Sequence, residues 1–247
     1  MSDRHILRLT GRDVRSFLQG LVTNDVERID AGLVYAALLT PQGKYLADFF
    51  LATDGDAVLL DADAGQAPAL RQRLGMYKLR ADVAIEDAGL FLHRGLGDVP
   101  PDGFADPRHP ALGWRAYRDA PQEDTEDWAA IYVAHGIPQS GADLHPDIYI
   151  LEAGFEALQG VDFRKGCYVG QEVTARMKHK TTLRKGLVQV QVTGAAEPGT
   201  AITADGKPVG TLHSRSGDTA LAYLRFDRAR RAMQAGDATV TWDAATP

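Results

Sequence analysis

Cysteine is almost absent: Cys167 is the only one in 247 residues. One thiol excludes an intramolecular disulfide and any closed zinc site built on converging cysteines. The seven histidines show neither H-x₃-H nor H-E-x-x-H spacing, so no metal site is expected. No apolar run approaches the roughly 18 residues of a membrane span. Met1-Ser2-Asp3-Arg4-His5 has no basic region leading into a long apolar one, so no signal peptide is expected. Surplus positive charge is missing too. The net charge of −6 argues against a surface made to embrace nucleic acid or an anionic membrane. The expectation is a cytoplasmic chain without direct nucleic-acid or membrane partners.

Also missing are a G-x-G-x-x-G after a strand, a G-x-x-x-x-G-K-[ST] and a G-x-S-x-G. Dinucleotide binding, P-loop hydrolysis and a serine-hydrolase elbow therefore lack their enabling geometry.

What is present is ordinary for a folded protein: 45% hydrophobic and 24% charged residues in a chain longer than one average domain. Val14, Phe17, Leu18 and Leu21 recur at helical spacing after Asp13. Leu33 to Leu39 and Tyr45 to Ala52 read as strands around the turn Thr40-Pro41-Gln42-Gly43, followed by a strand from Ala57 to Leu60. Leu70, Leu74 and Tyr77 mark a second helix, and Val83 to Ile85 and Leu90 to Leu92 two short strands. Four prolines between Asp98 and Pro110 read as a surface connection and subdomain boundary. A third helix, starting near Asp124 or Thr125, places Trp128, Ile131, Tyr132 and His135 on one face before Gly136. From Lys185 onward the pattern is β-rich, with strands at Gly186 to Val192, Ala201 to Ala204, Val209 to Leu212 and Ala220 to Leu224. The class is α+β with a C-terminal β domain.

The stretch from Phe163 to Arg176 is the most informative. Gly166 and Gly170 flank Cys167 and suit a tight loop, while Arg164 and Lys165 beside it would favour the thiolate. Cys167 is thus a candidate nucleophile or redox centre, against the commonest fate of a free cysteine, simple packing. Seven cations and one acid from Arg164 to Lys185 give this segment +6 and leave the rest near −12. Such concentration suits a local anion, a carboxylate-bearing tail or an RNA phosphate, or else forms a solvated basic face. Asp61 and Asp63 read as turn or helix-cap residues.

Lys165-Gly166-Cys167-Tyr168-Val169-Gly170-Gln171-Glu172, with Arg176 following, resembles the signature of the YgfZ family, relatives of the glycine-cleavage T-protein. Further elements occur in that family's order: Phe17-Leu18-Gln19-Gly20, Thr23-Asn24-Asp25-Val26, Pro41-Gln42-Gly43-Lys44 before Asp48, Tyr77-Lys78-Leu79-Arg80, Gly136-Ile137-Pro138 and Leu151-Glu152. The resemblance implies a GcvT-like folate-binding region over residues 1–180, its subdomains arranged around a central channel with their boundary near 98–110. It implies a C-terminal β-barrel over 181–247.

It also implies tetrahydrofolate as ligand, in polyglutamylated form where the basic segment meets its tail. Cys167 becomes the functional centre, with Lys165 and Asp48 beside it as catalytic candidates. Trp128, Tyr168, Gly170, Gln171, Glu172, Arg176 and Asn24 become candidate folate contacts. Family members support iron–sulfur proteins, among them radical enzymes that modify tRNA. A stable cluster normally takes four cysteine ligands, so this chain is expected to hold none of its own. Phe49 follows Asp48 where the aminomethyltransferase has a second acid, and Arg4 stands where a second folate-contacting tryptophan would fall. A folate-dependent one-carbon transferase and a folate-binding module without catalysis are therefore the alternatives.

Overall fold

The computed structural model describes residues 4–180 and 182–243. The chain divides into two compact units, Met1–Glu126 with Phe155–Ala175, and Asp127–Gly154 with Arg176–Pro247.

The first unit is built on a five-stranded antiparallel sheet. Its strands are β1 (Arg4–Thr10), β2 (Val34–Leu39), β3 (Tyr45–Asp54), β4 (Ala57–Asp63) and β5 (Ala84–Asp87), in the order β2-β3-β4-β1-β5. Helix α1 (Val14–Gln19) buries Val14 and Leu18 against it, and α2 (Ala67–Lys78) buries Ala67, Leu70 and Leu74. The apolar periodicity of the sequence marks all of these except β1, which reads only as a short apolar pattern.

All six residues of β2 are buried although it lies at the sheet's edge. An exposed edge would leave main-chain groups unpaired, and residues 22–24 cover this one. Val22 bridges to Leu38, Thr23 N–H donates to the Ala37 carbonyl at 3.0 Å, and the Thr23 hydroxyl accepts from Ala37 N–H at 2.8 Å.

A second, three-stranded sheet has the order β6-β8-β7, from β6 (Phe91–Gly95), β7 (Phe104–Ala105) and β8 (Trp114–Arg118). The proline-rich stretch 98–110, expected as a subdomain boundary, lies between β6 and β8 and contributes β7 to this sheet. Proline and glycine mark it as a connection, but strand pairing on both sides keeps it inside one unit.

In the second unit, α3 (Trp128–Ala134) begins later than the sequence suggests. Asp127 is its N-cap, its carboxylate accepting from Ala130 N–H at 3.0 Å. Helix α4 (Gln171–Lys180), which leads from the first unit into the second, has no expectation behind it. It buries only Thr174, so no apolar stripe announces it, while Glu172 in its first turn and Lys178, His179 and Lys180 in its last complement the helix dipole.

Strands β9 (Lys185–Thr193), β10 (Ala201–Ala204), β11 (Lys207–Ser216), β12 (Thr219–Arg225), β13 (Ala232–Ala235) and β14 (Ala238–Thr241) close a six-stranded barrel in the order β10-β11-β12-β9-β14-β13. Val190, Val192, Ile202, Leu212, Leu224 and Val240 fill it. The barrel is met as expected, but its unit also takes in 127–154. Gln189 donates from β9 to the carbonyls of Val133 and Ala134 at the end of α3.

Candidate functional site

Cys167 is exposed, on the irregular loop that precedes α4. Buried anchors hold that loop on either side of the thiol. The Asp162 carboxylate accepts from the N–H groups of Arg164 and Lys165 at 2.7 and 3.2 Å, closing an Asx-type turn. Lys165 then runs inward, and its ammonium donates to the carbonyls of Gln19, Val22 and Asn24 at 2.9, 2.6 and 2.9 Å. An ammonium has three donors, and all three are engaged. Burial pushes Lys165 down to about 8, with Asp25 and Asp162 acting the other way. Lys165 is therefore the loop's anchor, in place of the expected charge acting on the thiol.

Tyr168, immediately after the cysteine, is buried with the Lys165 Nζ 5.2 Å from its ring centroid. Gly170 has φ +83, and a Cβ there would stand 2.6 Å from the Thr40 carbonyl and 3.1 Å from the Gly43 Cα. Only glycine allows the loop to sit this close to the turn between β2 and β3. At Gly166 an added Cβ would meet nothing within 4 Å, and φ is not positive. That glycine leaves space beside the thiol without turning the chain. The arrangement offers a thiol held in place from behind and exposed to solvent.

Asp48 lies elsewhere in this unit, 3% exposed in the middle of β3. The hydroxyls of Tyr35 and Tyr45 donate to its two oxygens at 3.0 and 2.5 Å. Burial, with the Asp48 charge next, pushes the Tyr35 hydroxyl well up, which keeps it a donor. Phe155 stacks on Tyr35 at 5.1 Å and meets Tyr45 edge-on at 6.5 Å. Asn24 is turned inward as well. Its amide donates to the carbonyls of Tyr35 and Gln159 at 2.8 and 2.6 Å, and its oxygen accepts from Asp25 N–H at 2.9 Å.

Of the remaining candidates, Gln171 is half-buried at the start of α4, and Glu172 and Arg176 on the same helix are exposed. Trp128 is in the second unit, 6% exposed, its ring tilted against Tyr132 at 6.1 Å. The loop thus brings Cys167, Lys165, Tyr168 and Gly170 together, whereas Asp48 and Asn24 belong to separate internal networks.

A pterin requires a flat slot lined by a few polar groups aimed into it. In the first unit Asp48 and Asn24 aim at the protein's own groups, and Tyr168 is covered, so these three do not fit a pterin as folded. Among the described residues, no group of three or more His, Cys, Asp or Glu side chains could hold a metal.

A buried polar cluster lies where the sequence pattern predicts none. Asp61, expected at a turn or helix cap, is fully buried in β4. Arg4 and Arg115 reach its two oxygens at 2.6 and 2.5 Å, and Tyr117 donates at 3.1 Å. Arg115 lies 3.6 Å from Asp106, which Arg108 also pairs at 2.8 Å, and both arginines lie over the Phe50 ring. The one signal in the sequence is the unbroken apolar run around it: Leu59, Leu60 and Ala62 belong to a strand buried on both faces, which carries Asp61 inside with them. Asp63 does act at a turn, its carboxylate accepting from Gln66 N–H at 3.1 Å ahead of α2.

Residues 184–246 match the family model described as CAF17, C-terminal beta-barrel domain. The mouse protein named iron-sulfur cluster assembly factor IBA57, mitochondrial, is 31% identical over an alignment that covers 92% of this chain and 77% of the mouse protein. The chain belongs to the IBA57 family. Human IBA57 is 29% identical, with 91% of this chain and 76% of the human protein covered. An IBA57 homologue of Mycosarcoma maydis is 32% identical over 83% of this chain, which spans 59% of that relative's length. The crystal structure of glycine cleavage system aminomethyltransferase T from Bartonella henselae superimposes with a TM-score of 0.78, covering 98% of this chain and 84% of that one at 14% identity. The expected GcvT-like fold with a C-terminal barrel is therefore present in this IBA57-family chain. One expectation is overturned: these IBA57 relatives are named mitochondrial, which stands against a cytoplasmic location.

Proposed function

We propose that this chain supports the assembly or repair of iron–sulfur proteins by presenting the Cys167 thiol to client proteins, radical tRNA-modifying enzymes among them. The observation that carries this reading is the exposed cysteine between two buried anchors, Lys165 and Tyr168. A packed structural cysteine would lie inward. A thiol that must meet a metal or disulfide on another protein has to be solvent-facing and sterically open. The cluster is cargo in this scheme, shared for a moment between Cys167 and thiols of the client.

Cys167→Ser is expected to leave stability within about 0.5 kcal/mol, as exposed substitutions do. It should reduce iron–sulfur enzyme activity to the level of the empty vector in a strain lacking its own IBA57-family protein. Alkylation of the native protein with iodoacetamide should reach one thiol per chain. Full complementation by the serine variant, or alkylation only after unfolding, would refute the reading.

Tetrahydrofolate belongs to the proposal as a ligand held through its acidic tail. Arg176, Lys178 and Lys180 are exposed on α4 and supply the positive charge that glutamyl carboxylates require. Each additional glutamate is expected to tighten binding by a few tenths to about 1 kcal/mol, as exposed ion pairs do, and the gain should shrink with added salt. Titration of mono- and triglutamyl tetrahydrofolate by calorimetry at two ionic strengths reads this out. Equal affinity for the two forms would return the basic segment to a solvated face.

A further inference from the structure

Helix α2 has two usable faces, and the core takes only one. Ala67, Leu70 and Leu74 point inward, while Ala69, Gln72, Met76 and Leu79 follow one another at helical spacing on the outside, and all four are exposed. Met76 is 59% exposed and Leu79 is 88% exposed, the largest value for a large hydrophobic side chain among the described residues. Leu79 also holds φ 46 and ψ −104, a conformation L-residues rarely adopt and which costs conformational energy. An apolar side chain kept in a strained backbone and pushed into water contributes nothing to this fold's core.

The segment between Asp63 and Asp82 is rich in cations. Between residues 64 and 81 there are four cations (Arg71, Arg73, Lys78 and Arg80) and no acid, in a chain of net charge −6. No ion pair to any of the four is seen among the described residues. Beside the first turns of α2 a groove of about 540 Å³ is lined by Leu7, Ala67, Pro68, Arg71 and Gln72, with His5 and Asp87 3.4 Å apart at its rim.

We propose that the outer face of α2, from this groove to Leu79, is a docking surface for an acidic segment of a partner protein that carries apolar side chains. Charge complementarity selects the partner: carboxylates meet Arg71, Arg73, Lys78 and Arg80, and an apolar anchor covers Met76 and Leu79. Gly75, exposed and with nothing within 4 Å of an added Cβ, lets the partner's backbone come close. Methionine and arginine are both enriched at protein–protein interfaces.

The test uses the full chain with benzoylphenylalanine at Leu79, photolysed in cells, and the crosslinked peptide is sequenced and then synthesised. The expected product is an acidic, leucine- or phenylalanine-bearing segment. Its affinity for the intact protein should fall at least about tenfold with Met76→Ser/Leu79→Ser, the loss implied by exposing two apolar side chains, and should fall again with salt. Leu79→Gly provides the control for folding. Relief of the left-handed strain should raise the midpoint of thermal unfolding while binding weakens, the reverse of what a merely structural role would give. A basic or uncharged crosslinked peptide, a phospholipid adduct, a second copy of this chain, or adducts no more frequent than at exposed Asp119 would overturn the proposal. So would undiminished affinity in the double variant.

Discussion

Replacing Asp61 by alanine is expected to cost about 3–5 kcal/mol of unfolding free energy, the usual consequence of removing one partner from a buried ion pair. Arg4 and Arg115 converge on this carboxylate, and Arg115, 3% exposed, would keep its charge in the interior with one of its carboxylate partners gone. Arg4 would lose its carboxylate partner while keeping its bond to the main-chain carbonyl of residue 61. Urea unfolding at neutral pH measures the effect, and Asp63→Ala is the comparison. Asp63 contributes one turn hydrogen bond, so its loss should cost about 1 kcal/mol or less.

Acid sensitivity gives an independent check. Burial by itself would raise the Asp61 carboxyl, but Arg4 and Arg115 outweigh it and hold the group below its ordinary value of 3.8. Because the folded state binds this proton more weakly than the unfolded chain, the contribution is complete above pH 3.8 and is lost as the pH falls further. Asp61→Asn should remove that part of the acid limb. A cost under about 1 kcal/mol for Asp61→Ala would mean the arginines find other partners.

Lys165→Met should cost about 3 kcal/mol, since three main-chain carbonyls lose a charged donor at once and each buried unsatisfied group costs about 1 kcal/mol or more. It should also abolish support of iron–sulfur enzymes although Cys167 is intact, because the residue two positions away no longer pins the loop. Cys167→Ser acts on the thiol alone, so the two variants separate anchoring from chemistry: both lose activity, and only Lys165→Met loses stability.

The pH dependence has a definite sign here too. The folded state holds the Lys165 proton with a pKa of about 8 against an ordinary 10.5, so the unfolded chain binds more protons between those values. This group therefore favours the fold increasingly as the pH rises from about 8 toward 10.5, and that slope should be absent from Lys165→Met. Equal stability of wild type and variant across this range would remove Lys165 from its anchoring role.

Much of this molecule follows from local pattern. Apolar runs and turn residues are enough to locate α1, α2, β2, β3 and the barrel strands β9 to β12, because burial of alternate or helically spaced side chains is what forms those elements. The Cys167 loop is legible for a similar reason: its glycines, its anchor lysine and its tyrosine are neighbours in the chain. What the residues at 165 and 61 do is decided elsewhere. Lys165 finds its acceptors 141 to 146 positions away, and Asp61 meets Arg115 across 54 positions. Local pattern carries no information about such pairings, because a buried charge is tolerated only where the folded chain brings its counterpart to it. Composition and spacing by themselves determined the α+β class, a C-terminal β-rich domain and the motif around Cys167; the barrel form of that domain was implied by the family resemblance. Only the tertiary structure decided that Lys165 is an anchor, that Asp48 and Asn24 face inward, and that Asp61 holds two arginines in the core.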